Sequence, residues 1–254
     1  MIDMHTHILP GLDDGPDSMD ISIEMVQLAA EDGIQAMIAT PHARSGKFDS
    51  SPEIVKKGMD ALNIQLTDLN IPVTIYPGME IHICDDIQKR IENNELLTLN
   101  HSRYVLIELP GQLIPPKFKE VIFQLKLQGY YPILAHPERN FAIQKSPDMI
   151  NDFIDWGVYI QITAASLMGQ FGIPLKQLSK KMLQNRQVHF IASDTHTPYS
   201  RPPILSEACQ LASKILKDKT EARALVDQNP KNVIDNQLIE FNEPVVKKRW
   251  FLWG

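Results

Sequence analysis

Six short stretches of this chain each place a histidine or a carboxylate directly after a run of β-forming residues. The stretches are Asp3-Met4-His5-Thr6-His7, Thr40-Pro41-His42, Gly78-Met79-Glu80, Ile107-Glu108-Leu109, Ala135-His136-Pro137 and Ser193-Asp194-Thr195-His196. Because side chains alternate along an extended strand, the imidazoles of His5 and His7 point to the same side and can chelate a metal. We interpret the other stretches as further parts of a multi-metal site, so the chain must fold with its strand ends in one place.

Apolar β-like runs alternate with amphipathic helical stretches along the whole chain. After a first strand that carries His5, strands are predicted at 34–39, 73–76, 104–107, 132–135, 158–162 and 189–192. A first helix follows the N-cap candidates Asp17 or Ser18 and ends at Gly33. Further helices are predicted at about 52–69, 85–93, 116–128, 147–155, 174–185, 204–217 and 220–227. This alternation predicts a parallel sheet closed into a barrel, in which active sites lie at the C-terminal ends of the strands.

Length and composition limit the classes of protein to consider. With 254 residues and 43% hydrophobic content, the chain can bury one sizeable core, and we expect one domain. The net charge is −6 and the longest run of like charge is Lys247-Lys248-Arg249, so nucleic-acid binding has little support. Cys84 and Cys209 cannot form a disulfide framework. Since no signal-peptide pattern or apolar run of roughly 20 residues occurs, we expect a cytoplasmic protein.

Nine side chains are candidate metal ligands. They are five imidazoles and four carboxylates: His5, His7, His42, His136, His196, Asp14, Glu80, Glu108 and Asp194. Such mixed ligands suit zinc, manganese or iron, and neither cysteine lies in a ligand-like context. The set exceeds the four ligands of a closed structural site and is large enough for two or three ions. Ions about 3.5–4 Å apart can share a hydroxide and clamp the oxygens of an in-line phosphoryl displacement.

Four segments together carry a resemblance to a known family. They are Met1-Ile2-Asp3-Met4-His5-Thr6-His7-Ile8-Leu9-Pro10, Asp13-Asp14-Gly15, Ala135-His136-Pro137-Glu138-Arg139 and Ala192-Ser193-Asp194-Thr195-His196. Over nearly its whole length the chain resembles the PHP superfamily, named for its polymerase and histidinol-phosphatase members. More narrowly, it resembles the manganese-dependent tyrosine-protein phosphatases encoded with bacterial capsule and exopolysaccharide genes.

The resemblance implies a fold and a set of metal ions. The fold is an α/β, distorted (β/α)7 barrel of the PHP or TIM-like type, a single domain over 1–240 followed by a basic and aromatic tail at 241–254. Three divalent ions are implied, with manganese expected and iron or zinc as alternatives. By position, the first ion takes His5, His7, Glu80 and Asp194; the second takes Glu80 as a bridge with Glu108 and His136; the third takes Asp14, His42 and His196.

The resemblance also implies phosphate recognition by two arginines, Arg139 and Arg201. A planar guanidinium binds two phosphate oxygens at once and stays charged at any working pH. For Arg139, a salt bridge with Glu138 at the barrel rim is the alternative. The proton donor to the leaving group is left open between a metal-bound water and an incompletely ligated His42 or His196, and the demand on it is low because phenol, with a pKa near 10, leaves readily.

A thiol-based mechanism is an alternative, because Cys84 and Arg90 have the Cys-x5-Arg spacing of another class of tyrosine phosphatase. Those enzymes need a loop of small residues whose N–H groups wrap the phosphate and lower the thiol pKa. Asp85 and Asp86 would repel phosphate and raise that pKa, and the segment is typical of a helix start. We interpret the spacing as a coincidence.

A small-molecule phosphatase of the histidinol-phosphatase type, built on the same metals, is the main alternative function. The loops around the site decide between the two, because function on a shared fold is set there. In this chain they are segments 43–51, 110–116, 138–146 and 164–173. They contain no recognisable enclosed aromatic cage, which favours an open site for a protein-borne phosphotyrosine. A PHP-type nuclease is disfavoured by the acidic charge and the lack of a polymerase region.

The implied partner is a tyrosine-phosphorylated bacterial kinase, whose dephosphorylation would reset polysaccharide export. The tail, 245–254, joins a basic cluster to two tryptophans, a phenylalanine and a leucine. Such a segment can make weak contact with an anionic membrane surface, which would place the protein peripherally at the inner face of the membrane. The same aromatics can instead pack against the barrel or a neighbouring subunit.

Overall fold

The computed structural model describes residues 1–44 and 46–240 of the chain. The predicted tail, 241–254, lies outside the described residues, and the division of the chain at residue 240 therefore stays a prediction.

The strands of the described residues pair only in parallel. They are β1 (Ile2–Thr6), β2 (Ala36–Ala39), β3 (His42–Ala43), β4 (Thr74–Pro77), β5 (Glu80–His82), β6 (Tyr104–Glu108), β7 (Tyr131–Ala135), β8 (Tyr159–Thr163) and β9 (Phe190–Ala192). One sheet has the order β1-β2-β4 and the other the order β3-β5-β6-β7-β8-β9. The predicted α/β class with parallel strands is confirmed.

Helices connect these strands, most of them close to where periodicity predicts them. They are α1 (Met19–Glu31), α2 (Pro52–Asp68), α3 (Ile87–Glu92), α4 (Phe118–Leu127), α5 (Phe141–Lys145), α6 (Met149–Asp155), α7 (Ala164–Met168), α8 (Ile173–Gln184), α9 (Ser206–Leu216), α10 (Lys219–Ala224) and α11 (Gln228–Ile234). The helices α5, α7 and α11 were not predicted. Ser18 caps α1 by accepting the N–H of Ile21, and Gly33 follows the helix with a φ of 86°. None of the described helices is both long and apolar enough to span a bilayer.

Two strands resume beyond their predicted ranges, 34–39 and 73–76, after a break beside the ligand stretches. β2 is followed by β3 after Thr40-Pro41, and β4 is followed by β5 after Gly78-Met79. A Cβ atom at Gly78 would lie 2.9 Å from side-chain atoms of Ile38 and Leu99, so only glycine fits there. Beyond the breaks, His42 and Glu80 pair in register, which places these two side-chain positions next to each other.

Apolar side chains alternate between two clusters along the strands. In β6, Tyr104 and Leu106 belong to one buried cluster, and Val105 and Ile107 to the other. Because successive side chains point to opposite faces, the strands are covered by apolar residues on both sides. Helices α1 to α10 contribute residues to the second of these clusters, and α11 contributes Val233 to the first. This double burial fixes the register of the strands and thereby the positions of the residues at their carboxyl ends.

His189, buried directly before β9, makes the stability depend on pH. Burial lowers its pKa to about 3, and its Nδ1 accepts the N–H of Ile160 at 3.0 Å. An unfolded histidine has a pKa of about 6.5, so below that pH the unfolded chain binds a proton that the folded chain does not. The contribution to stability is present above about pH 6.5 and is lost as the pH falls toward 3.

We expect His189→Asn, whose amide oxygen can accept the same N–H, to weaken this pH dependence. Between pH 7.5 and 5.5 the variant should lose about 1.4 kcal/mol less of its free energy of unfolding than the unmodified chain loses. Urea denaturation at the two pH values measures both losses. Comparing losses cancels the contribution of other titrating groups, including the site described below. Equal losses in the two proteins would show that folding does not lower the pKa of His189.

Candidate metal centre

The predicted ligands lie at or just after the carboxyl ends of the strands. Their places are His5 in β1 and His7 after it, Asp14 in the following loop, His42 in β3, Glu80 in β5, Glu108 at the end of β6, His136 after β7, and Asp194 and His196 after β9. The structure brings all of them into one connected cluster. Three groups have ligand atoms within 4.8 Å of one another: His7, Asp14, His42 and His196; His5, His7 and Glu80; His42, Glu80 and Glu108.

His5 and His7 point their Nε2 atoms into the same space. The Nδ1 atom of His5 lies 3.0 Å from Oε1 of Gln161, and Nδ1 of His7 lies 2.6 Å from Oδ2 of Asp13. These acceptors hold a proton on each Nδ1, and the two Nε2 atoms face each other at 3.3 Å. In neutral rings both Nε2 atoms would carry lone pairs, which repel at this distance unless a cation lies between them. Histidine ligands are commonly oriented by a second partner in this way, so the pair fits a metal.

Glu80 lies at the middle of the cluster and is fully buried. Its carboxylate lies 2.8 Å from His136 Nε2, 2.9 Å from His42 Nδ1 and 3.4 Å from His5 Nε2. Burial alone would raise the pKa of Glu80, but the charge of a protonated His5 and the hydrogen bonds from His136 and His42 hold this pKa well below its ordinary value. A buried carboxylate kept ionised among imidazole nitrogens is suited to bridging cations.

Asp14, His42 and His196 form the outer part of the cluster. Asp14 Oδ1 lies 3.3 Å from His196 Nε2 and 3.6 Å from His42 Nε2. The ring of His196 is oriented by its Nδ1, which donates to the carbonyl of Asp194 at 3.0 Å. The neighbouring His196 is the main cause that lowers the pKa of Asp14, so this carboxyl group is ionised. With 48% of its side chain exposed, Asp14 is the ligand candidate nearest to solvent in this group.

Two ligand candidates sit on strained backbone at the strand ends. His136 has a φ of 31° and Asp194 a φ of 55°, in the left-handed region that non-glycine residues rarely adopt. Asp194 is held there by its own N–H, which donates to the carbonyl of His5 at 3.0 Å. Such conformations cost about 1–3 kcal/mol each and persist at functional sites. They turn both side chains back over the end of the sheet.

Asp194 connects the cluster to both predicted arginines. Its Oδ1 lies 3.5 Å from His5 Nε2 and 3.4 Å from His7 Nε2. Its Oδ2 accepts a hydrogen bond from Arg139 at 2.6 Å and another from Arg201. One oxygen therefore faces the imidazoles and the other faces two guanidinium groups.

The alternative prediction for Arg139, a salt bridge with Glu138, is wrong. Glu138 is fully buried and its Oε1 accepts from the N–H and the hydroxyl of Thr163, at 2.9 and 3.1 Å. The 3-10 turn after His136 points Glu138 into the protein and leaves Arg139 facing the site. Arg139 also lines a cleft of about 110 Å³ with Glu108 and His136.

Sequence reasoning missed three residues that orient the ligands. Asp13 accepts hydrogen bonds from the His7 ring and from the N–H of His42, and Gln161 accepts one from the His5 ring. Asp3 accepts a hydrogen bond from the N–H of Ser193 at 3.0 Å. A signal was present for two of them. Gln161 is a polar residue in the buried strand β8, and Asp3 is an acid in the buried strand β1, where an unpartnered polar group would be unfavourable.

Two aromatic rings of the predicted loops also contact site residues. Phe48 stacks on His42 with a centroid distance of 6.0 Å and an interplanar angle of 8°. The ring of Phe171 lies near Arg139 and Arg201. Neither ring was predicted to reach the site.

The Cys84 segment is unsuited to thiol chemistry. Burial, with Asp86 beside it, raises the pKa of the Cys84 thiol to about 11. Arg90 donates to Asp86 and to Glu95, each at 2.8 Å, and its guanidinium is therefore engaged elsewhere. Since a nucleophilic cysteine needs a lowered pKa, the Cys-x5-Arg spacing does not form a phosphate-binding loop.

Comparisons with known proteins point in one direction. Residues 1–235 match the family model for capsular polysaccharide synthesis, CpsB/CapC. Tyrosine-protein phosphatase YwqE of Bacillus subtilis (strain 168) is 36% identical over 254 residues, covering 100% of this chain and 99% of YwqE. CapC of Staphylococcus aureus is 37% identical over 254 residues, covering 99% of each chain.

The fold gives the same result. The chain superposes on a crystal structure from the pair YwqE of Bacillus subtilis and CpsB of Streptococcus pneumoniae, which are metal-dependent tyrosine phosphatases. The TM-score is 0.92 at 36% sequence identity, and the match covers 98% of this chain and 100% of the other. The matched residues 1–235 include every ligand candidate and both arginines. On sequence and structure together, this chain belongs to the CpsB/CapC family.

Proposed function

We propose that this protein is a metal-dependent tyrosine-protein phosphatase, which hydrolyses phosphotyrosine on a bacterial tyrosine kinase that regulates capsular or exopolysaccharide synthesis. The observation that carries this proposal is the shared carboxylate of Asp194. It joins a cluster of buried imidazoles and carboxylates to two arginines, which are suited to a phosphoryl group. The names of the relatives YwqE and CpsB support the phosphotyrosine substrate.

The proposed ions are three divalent cations, with manganese expected and iron or zinc as alternatives. The proposed ligands are His5, His7, Glu80 and Asp194 for the first ion; Glu80, Glu108 and His136 for the second; Asp14, His42 and His196 for the third. The close groups of His5, His7 and Glu80 and of Asp14, His42 and His196 support the first and third sets. For the second set, His136 lies 2.8 Å from Glu80, while His42 is the imidazole close to both Glu80 and Glu108. When bound, such ions would act as Lewis acids on phosphoryl oxygens and lower the pKa of a water molecule.

The protein's own groups would bind and orient the substrate. Arg139 and Arg201 lie side by side on Asp194 and can each donate to non-bridging phosphoryl oxygens, where charge develops in the transition state. The candidate proton donors are a metal-bound water and, where they are not fully ligated, His42 or His196. The side chain of His42 is 15% exposed and that of His196 is 7% exposed, so His42 is the more accessible to a leaving group.

We also propose that the two sheets form one distorted (β/α)7 barrel. An isolated parallel bridge between Thr6 and Thr195 supports this closure. There the N–H of His7 donates to the carbonyl of Thr195 at 2.9 Å, linking β1 to the segment after β9. With β2 continued by β3 and β4 by β5, the strand order would then run around the barrel and return to β1.

The test separates this function from the histidinol-phosphatase alternative. We expect kcat/KM on a phosphotyrosine peptide, measured after chelation and re-addition of manganese, to exceed kcat/KM on histidinol phosphate. The reason is the half-open site: the side chains of Arg139 and Asp14 are 35% and 48% exposed, as access by a protein-borne residue requires. The chelated protein serves as the control. A preference for histidinol phosphate would assign the alternative function.

The kinase partner and the position at the inner membrane face belong to this proposal. The kinase partner is supported by the capsular polysaccharide synthesis description of the family. The tail that would contact the membrane lies outside the described residues.

A further inference from the structure

Phe171 lies in a tight turn between α7 and α8. The glycines on either side of it, Gly169 and Gly172, have φ values of 92° and 97°, which other residues rarely adopt. The turn is closed by two hydrogen bonds, from Gln170 N–H to the Ala165 carbonyl at 2.9 Å and from Gly172 N–H to the Gly169 carbonyl at 3.1 Å. The backbone that carries the Phe171 ring is therefore well fixed.

The ring lies beside both site arginines. The guanidinium carbon of Arg139 is 5.2 Å from the ring centroid, and that of Arg201 is 6.0 Å from it. Both distances fall within the range of a cation–π interaction, whose strength rises when the cation is partly removed from water. The side chains of Arg139 and Arg201 are 35% and 22% exposed, so both are partly desolvated.

The two guanidinium groups need such support. Both donate to the same oxygen of Asp194, which brings two positive charges together. Among the described residues, each guanidinium makes one hydrogen bond, and Nε of Arg201 is buried without an acceptor. One hydrogen bond leaves a guanidinium free to rotate. The electron-rich face of an aromatic ring offsets the repulsion and adds a second restraint.

We propose that Phe171 is a positioning residue that holds Arg139 and Arg201 in the orientation that receives the phosphoryl group. The inference rests on the proposed role of the two arginines in phosphate binding. Phe171 would act through the arginines and not by stacking on the tyrosyl ring of the substrate. It would therefore affect the binding of any phosphate, with or without an aromatic group.

Calorimetric binding of inorganic phosphate to the manganese-loaded protein tests this directly, because phosphate has no ring to stack. We expect Phe171→Leu to raise the Kd for phosphate roughly tenfold and to lower kcat/KM on p-nitrophenyl phosphate by a similar factor. Phe171→Trp, which keeps an aromatic face, should restore both values to within about threefold. Thermal unfolding and bound-metal content check that each variant is folded and loaded, and Phe171→Met replaces Phe171→Leu if that variant does not fold.

Phe141→Leu is the matched control. Phe141 is also an exposed ring, two positions after Arg139, and it contacts a cation, Lys145, at 4.3 Å, with no arginine over it among the described residues. This variant should leave the phosphate Kd unchanged. An unchanged phosphate Kd in Phe171→Leu would overturn the inference, as would a loss confined to aryl substrates. Because phosphate binding is measured without turnover, failure of the unmodified protein to hydrolyse phosphotyrosine would count against the proposed function alone.

Discussion

Glu80→Gln is expected to abolish phosphotyrosine hydrolysis, lowering kcat by at least about a thousandfold. The amide keeps the size of the side chain but removes the negative charge that His5, His42 and His136 surround. Two of the proposed ions share this carboxylate, so both sites should weaken together. His136→Ala should act in the same direction, because it leaves the buried Glu80 carboxylate without its closest partner.

Two measurements distinguish this result from a general loss of structure. Bound metal per chain should fall from three ions in the unmodified protein, while circular dichroism stays unchanged. Cys84→Ser is the matched control for the thiol mechanism, and it should keep kcat within about twofold because the raised thiol pKa makes Cys84 a poor nucleophile. Full metal content and activity in Glu80→Gln, or an inactive Cys84→Ser, would contradict the metal assignment.

The sequence was informative about the fold because its signals were local. Alternation of apolar runs and helical stretches predicts parallel strands, and parallel strands bring their carboxyl ends together. That rule alone gathers His5, His136 and Asp194 from positions far apart in the chain. The short helices α5 and α7 were missed because five residues are too few for a periodic pattern.

The details of the site depend on long-range contacts, which one sequence does not contain. The partner of the His5 ring, Gln161, is 156 positions away, and the partner of Arg139 is Asp194, not the neighbouring Glu138. Which residue a side chain contacts depends on the backbone conformation of the turn that carries the side chain. Likewise, the left-handed backbone of His136 comes from the packing around it and not from a glycine that could be read in the chain.

Arg139→Lys and Arg201→Lys are each expected to lower kcat/KM on a phosphotyrosine peptide about a hundredfold, with bound metal unchanged. Lysine keeps the positive charge but loses the planar pair of donors that matches phosphoryl oxygens. The side chains of both arginines end on Asp194 Oδ2, while its Oδ1 faces the imidazoles. Metal content therefore separates this result from the one expected for Glu80→Gln.

Arg90→Lys is the matched control for the arginine variants. The guanidinium of Arg90 pairs with Asp86 and Glu95, so its replacement should leave kcat/KM within about twofold of the value for the unmodified protein. The double variant of Arg139 and Arg201 should lose less than the product of the two single losses, because both side chains act on one phosphoryl group and share Asp194. Two results would contradict a role of the arginines in phosphate binding: the same kcat/KM in the single variants as in the unmodified protein, or loss of metal from either single variant. The metal cluster alone would then hold the substrate.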